Sequence, residues 1–133
     1  GFLIGWCGVK LTIDNELMSP WAVFLIIIYP ALELIFSTIR RLINKSSPLK
    51  PDNKHLHSLF FIYLSSIYIR NKPNFVNSFC GFVLTIYGTI PSFYVYLVSA
   101  NEYFVLVGIL IFLMSYIILL ISLTILKKKN KLV

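Results

Sequence analysis

The chain has 133 residues, of which 58% are hydrophobic and 13% charged, with a formal net charge of +7. A mean hydropathy of +0.83 leaves too little polar surface for a water-soluble domain of this length. The apolar residues form long runs rather than an amphipathic pattern, so the fold class expected is all-α: a polytopic transmembrane helix bundle of about four membrane helices, the first truncated. One cytoplasmic loop and one interfacial helix complete it.

In chain order, Gly1 to Ile13 is apolar but short and begins abruptly. Gly1, Gly5 and Gly8 put small residues on one flank, which suits close helix packing in lipid. Ser19-Pro20-Trp21 reads as a helix start, with Ser19 capping, Pro20 in the first turn and Trp21 at headgroup level. Trp21 to Ile39 is a first full span, and Pro30 is expected to kink it. Glu33 lies inside that span. A charge there costs on the order of 3 kcal/mol by insertion scales, so it needs a partner or a cavity. Ser37 and Arg40 follow on the same helical face and carry a polar stripe toward the next loop. Glu33 packing on a polar neighbour with Arg40 snorkelling is one reading of that stripe; a functional face is the other.

Arg40 and Arg41 end the span. They serve as a topology signal, and as fixed charges suited to bidentate phosphate contact. Residues 40–57 form a loop segment stiffened by Pro48 and Pro51, and Asp52-Asn53 reads as a helix N-cap. On that reading His55 and His57 fall in the first turn of a new helix, where anions bind readily. On a helix the two rings diverge by about 200°, which argues against a shared metal ion. On extended backbone they would share a face. Two imidazoles among cations suit hydrogen bonding to phosphate oxygens; solvated loop residues without a role are the plain alternative.

Leu59 to Ile69 is apolar, but eleven residues rise only about 16 Å, too little to cross. An interfacial helix over 58–70 is expected instead. Asn71 to Asn77 reads as a short connector. Phe79 to Val98 is a second span, with Pro91 inside it, Ser99 to Glu102 is a tight turn, and Tyr103 to Leu126 is a third span that looks like a lipid-facing scaffold helix. Residues 127–133 form a basic tail.

Arg40, Arg41, Lys45, Lys50, Lys54, Arg70 and Lys72 lie between the first and second full spans, and Lys127, Lys128, Lys129 and Lys131 follow the last. By the positive-inside rule the histidine loop and the C-terminus are cytoplasmic. The net charge therefore belongs to a membrane face, and no nucleic-acid motif accompanies it. The lysine tail suits anionic lipid, at ~1 kcal/mol per Lys. Cys7 and Cys80 show no pairing or metal-ligand spacing. No Met opens the chain and no cleavable signal is present, so a longer parent protein is expected, with this chain as its C-terminal part.

Tyr29-Pro30, Glu33, Arg40-Arg41, Ser47-Pro48, Pro51-Asp52 and His55-Leu56-His57 stand in a recognisable order. In that order the chain resembles the C-terminal portion of the polyprenyl-phosphate N-acetylhexosamine-1-phosphate transferases, glycosyltransferase family 4. It is similar to the undecaprenyl-phosphate GlcNAc-1-phosphate transferase branch and, more distantly, to the phospho-MurNAc-pentapeptide translocases. Ser58 stands where the GlcNAc branch usually has a further His, and Asn53 where it has an Arg. The resemblance implies attack of a polyprenyl phosphate on the sugar-side phosphorus of a UDP-N-acetylhexosamine, with release of UMP, for cell-envelope polysaccharide synthesis. It implies Mg²⁺ as cofactor, with ligands outside this chain, and the bacterial inner membrane as location. His55 and His57 match the family's histidine motif and are assigned to the nucleotide-sugar diphosphate, Arg40 or Arg41 to its arginine position, and Asp52 to loop organisation within the same substrate site. The catalytic aspartates are expected upstream of Gly1, and this chain alone is expected to be inactive. Expected partners are the UDP-sugar, the polyprenyl lipid and the membrane, with a homodimer allowed and no nucleic acid. The alternatives are a small non-catalytic membrane subunit and a transporter fragment, the latter drawing on Glu33, Pro30 and Pro91.

Overall fold

The computed structural model describes residues 1–43, 45, 55–67 and 73–130, the side chains of 129 and 130 excepted. It contains six helices in the order α1 (Phe2–Asp14), α2 (Pro20–Ile26), α3 (Ile28–Ile43), α4 (Leu56–Ile67), α5 (Pro73–Val98) and α6 (Glu102–Asn130), and no strand among the described residues. α5 and α6 are long and apolar enough to cross a membrane, and the bent pair α2 and α3 makes a third candidate if it counts as one span.

Side-chain distribution fits a lipid solvent. On α3, Leu34, Ile35, Ile39, Leu42 and Ile43 are exposed, whereas Ser37 is buried and Glu33 and Arg40 are half-buried. The helix is amphipathic with its polar stripe inward, the inverse of a helix on a water-soluble core. Phe82, Ile86, Ile90 and Phe93 on α5, with Leu110, Ile111, Met114, Ile118, Ile121 and Ile125 on α6, are likewise exposed.

The first span is broken. α2 and α3 meet at 72°. The break falls at Ile27, with φ −98° and ψ 11°, and not at Pro30 itself. Pro30 has no N–H to return to the Ile26 carbonyl four residues back, and its ring crowds that oxygen. The helix therefore ends there and restarts with Pro30 in the first turn of α3. At the start of α2, the Ser19 hydroxyl accepts a hydrogen bond from the Trp21 N–H at 3.3 Å, with Pro20 behind it, as the sequence predicts.

α5 and α6 form an antiparallel pair. Its turn is capped by Asn101, whose side-chain oxygen accepts from Tyr103 N–H at 3.1 Å and Phe104 N–H at 3.4 Å. Ser19 N–H donates to the Ser99 carbonyl at 3.0 Å, tying the start of α2 to the same end. Further along, the Tyr87 and Ser115 hydroxyls are hydrogen-bonded at 2.8 Å and the Tyr87 and Phe112 rings stack at 4.8 Å. Pro91 sits buried inside α5 without breaking it. Gly108 permits close approach of α2, α5 and α6: a Cβ there would meet Tyr94 at 2.5 Å and Leu25 at 3.0 Å. Of the three glycines on α1, only Gly8 is close to a neighbour, with Val23 at 2.7 Å from a built Cβ.

Several boundaries differ from the sequence reading. α5 begins at Pro73, so Pro73 to Asn77 is helix and not connector. Proline at the first helical position loses no hydrogen bond, which explains the earlier start. α3 runs on through Arg40 and Arg41 to Ile43, and α6 continues through Lys127 and Lys128, so the loop and tail begin later than expected. α6 is also more than a scaffold facing lipid: Val105, Phe112, Tyr116 and Leu123 form a buried stripe against α2, α4 and α5. α4 is short, as its length predicts, and packs between α5 and α6 through buried Leu56 and Leu59.

Candidate functional site

The start of α4 is fixed by a residue on another helix. The Glu33 carboxylate accepts from His55 Nδ1 at 2.8 Å through one oxygen and from the Leu56 N–H at 3.0 Å through the other. Both carboxylate oxygens are thereby used. An acceptor at the first N–H of a helix offsets an orphan donor and meets the positive end of the helix dipole. The intramembrane glutamate thus has its partner, which answers half of the question its position raises. The expected cap, Asp52-Asn53, lies outside the described residues. α4 opens at Leu56, so His55 precedes the helix instead of occupying its first turn.

The two histidines face different neighbours. His55 turns toward α3, with 39% of its side chain exposed, while the Glu33 side chain is 16% exposed. His57 lines a groove of about 380 Å³ with Tyr29, Pro30, Gly81, Leu84, Thr85 and Gly88.

Aromatic side chains wall the carboxylate. Tyr29 sits edge-on to Tyr87 at 6.0 Å and to Tyr116 at 6.4 Å, and Phe36 lies 5.4 Å from Tyr116. The Tyr116 hydroxyl is fully buried, within electrostatic reach of Glu33 and Arg40. Low-dielectric walls of this kind strengthen the Glu33 to His55 attraction relative to water.

Depth follows from packing. Leu56 and Phe60 share an apolar pocket with Leu84, Leu119 and Leu123. Leu119 to Leu123 precede Lys127 by four to eight residues, about 6 to 12 Å of helix rise. The Glu33–His55 pair therefore sits just inside the end of the bundle that carries Lys127 and Lys128, opposite the Ser19–Ser99 end. Arg40 and Arg41 occupy the last turn of α3, half-buried, and the chain leaves that helix through Lys45 in a left-handed conformation, φ 48°.

Of the residues singled out in the sequence, His55 is bonded to Glu33 on α3, Arg40 and Arg41 lie in the last turn of that helix, and His57 lines its own groove. Asp52 lies outside the described residues. Glu33 stood in the ordered motif and in the polar stripe of its helix, but its bond to the histidine segment was not read from the sequence. Tyr116 carried no signal. No three His, Cys, Asp or Glu side chains gather to hold a metal ion among the described residues. Glu33 is the single carboxylate of this end among them, and its oxygens are already bonded, so the described residues do not fit Mg²⁺.

No protein-family model matches the chain, and neither a curated protein nor a solved structure matches it.

Proposed function

We propose that this chain carries the nucleotide-sugar side of a polyprenyl-phosphate N-acetylhexosamine-1-phosphate transferase of a bacterial inner membrane, with the histidine end of the bundle cytoplasmic. The observation that carries the reading is the docking of the histidine segment onto α3 by Glu33. It ties an imidazole to the helix whose last turn carries Arg40 and Arg41, near the lysine-bearing end, where positive groups meet apolar helices. Substrates that suit such a place are anions with a lipid tail or a large headgroup. A polyprenyl phosphate and a UDP-N-acetylhexosamine supply one of each.

In the reaction, a lipid phosphate oxygen forms a bond to the sugar-side phosphorus and the bridging bond to UMP breaks. The charge spread over the diphosphate during that exchange is what fixed donors offset. Arg40 and Arg41 supply guanidinium groups that stay charged at any working pH. His55 offers its Nε2 edge, since Nδ1 is engaged. His57 faces the groove beside Tyr29 and contacts the same diphosphate from a second direction. Mg²⁺, where bound by other residues of the enzyme, would supply further positive charge to these phosphates.

The test is UMP release from UDP-N-acetylglucosamine by the full-length protein in native membranes supplied with undecaprenyl phosphate. Release that falls in the Arg40→Ala/Arg41→Ala variant while the protein still inserts supports the assignment. A protein that inserts and binds lipid but releases no UMP from any UDP-N-acetylhexosamine is a subunit or a transporter piece instead.

A further inference from the structure

The Nδ1 edge of His55 is committed to Glu33, and this has a chemical consequence. An ionised carboxylate only accepts, so Nδ1 carries the proton of that 2.8 Å bond. A neutral His55 then has a lone pair at Nε2 and cannot donate to a phosphate. We propose that Glu33 is a positioning residue, which fixes the His55 ring so that Nε2 is the edge presented to the diphosphate, where a ring protonated at both nitrogens can donate. The proposal rests on the transferase reading and adds a residue that the histidine motif does not contain.

Three features of the structure support it. Glu33 is itself held: its second oxygen takes the Leu56 N–H at 3.0 Å, so the carboxylate plane cannot turn away from the ring. Among the described residues, Tyr29 from α3 and Tyr116 from α6 lie within electrostatic reach of Glu33, with Arg40 near Tyr116 and Tyr87 against Tyr29. Among the described residues, Glu33 is the carboxylate bonded to His55. Finally, the His55 side chain is 39% exposed although its Nδ1 edge is covered, so the opposite edge is open to a ligand.

In the transfer step the new bond joins a lipid phosphate oxygen to the sugar-side phosphorus, and the electron pair of the broken bridge stays on the UMP oxygen. When protonated at both nitrogens, the ring donates a charge-assisted hydrogen bond from Nε2 to the diphosphate oxygens and gives up no proton, so the step balances without a base. Glu33 acts only through the ring it orients.

A double-mutant cycle separates this role from simple capping of α4. Glu33→Gln keeps the side-chain volume and an oxygen able to accept from Leu56, but removes the charge. UMP release by full-length Glu33→Gln is expected to fall about 10- to 100-fold, the usual cost of losing an orienting partner. In a His55→Gln background, the same substitution is expected to change nothing further. An equal loss in both backgrounds would show that Glu33 acts only on the helix and would overturn the proposal. Wild-type protein that releases no UMP would overturn the transferase reading, and this role with it. A second measurement does not depend on the variant folding. In ¹⁵N-histidine-labelled wild-type protein, with His55 assigned by the loss of its signals in His55→Gln, Nδ1 is expected to be protonated. A neutral ring protonated at Nε2 contradicts the proposal whatever the kinetics show.

Discussion

Glu33 and His55 are 22 residues apart in sequence and meet at 2.8 Å, joining the middle of one broken helix to the start of another. That contact solves two problems at once. It gives a carboxylate in an apolar bundle its donors, and it anchors the segment entering α4.

Removing the carboxylate should therefore cost stability as well as activity. Glu33→Ala leaves the Leu56 N–H and the His55 ring without their acceptor, at about 1–3 kcal/mol for an unsatisfied buried group. Glu33→Gln can still satisfy one of the two donors. Thermal unfolding in detergent is expected to rank wild type above Glu33→Gln above Glu33→Ala.

The two histidines are expected to separate by the same measurement. His55→Ala strips Glu33 of its side-chain partner and should lower the unfolding temperature. His57→Ala opens a groove and touches no hydrogen bond of the fold, so its unfolding temperature should stay close to wild type. Equal destabilisation by both would contradict the different environments of the two rings.

Glycine substitutions test the packing of the other end. A Cβ at Gly108 would crowd Tyr94 and Leu25, whereas a Cβ at Gly81 meets nothing within 4 Å. Gly108→Ala is expected to destabilise by about 1–3 kcal/mol, as overpacking does. Gly81→Ala should not lower stability.

The break between α2 and α3 can be read by distance. A continuous helix from Trp21 to Leu42 would span about 32 Å, and a 72° bend shortens it. Spin labels at these two exposed positions are expected to report a shorter separation in wild type. In Pro30→Ala, which restores the missing N–H, the distance should lengthen. An unchanged distance would place the cause of the bend elsewhere.

Much of the architecture is legible in the sequence because hydropathy and helix signals are local. Ser19-Pro20 caps α2, residues 56–67 are too short to cross, and the apolar lengths of α5 and α6 are plain. Boundaries set by what a helix tolerates are less so: Pro73 opens α5 because its missing N–H is free of cost there, and Arg40 and Arg41 continue α3 because a helix end in headgroups need not stop at a charge. The proline rule fixes that a break occurs, yet the break falls at Ile27, just after the Ile26 carbonyl that loses its partner. The site is least legible, since a cap from Glu33 to Leu56 is a contact between helices that no short motif encodes. The sequence names the histidines, the arginines and a glutamate in need of a partner; only packing shows that the partner is His55.

The central claim, that this end of the bundle receives a nucleotide sugar's diphosphate, is tested most directly by equilibrium binding of radiolabelled UDP-N-acetylglucosamine to the full-length protein. Each lost charge-assisted bond is worth about 1.5–3 kcal/mol, so the His55→Ala/His57→Ala variant is expected to bind at least about tenfold more weakly than wild type. Undiminished affinity in a correctly inserted double variant would contradict the account.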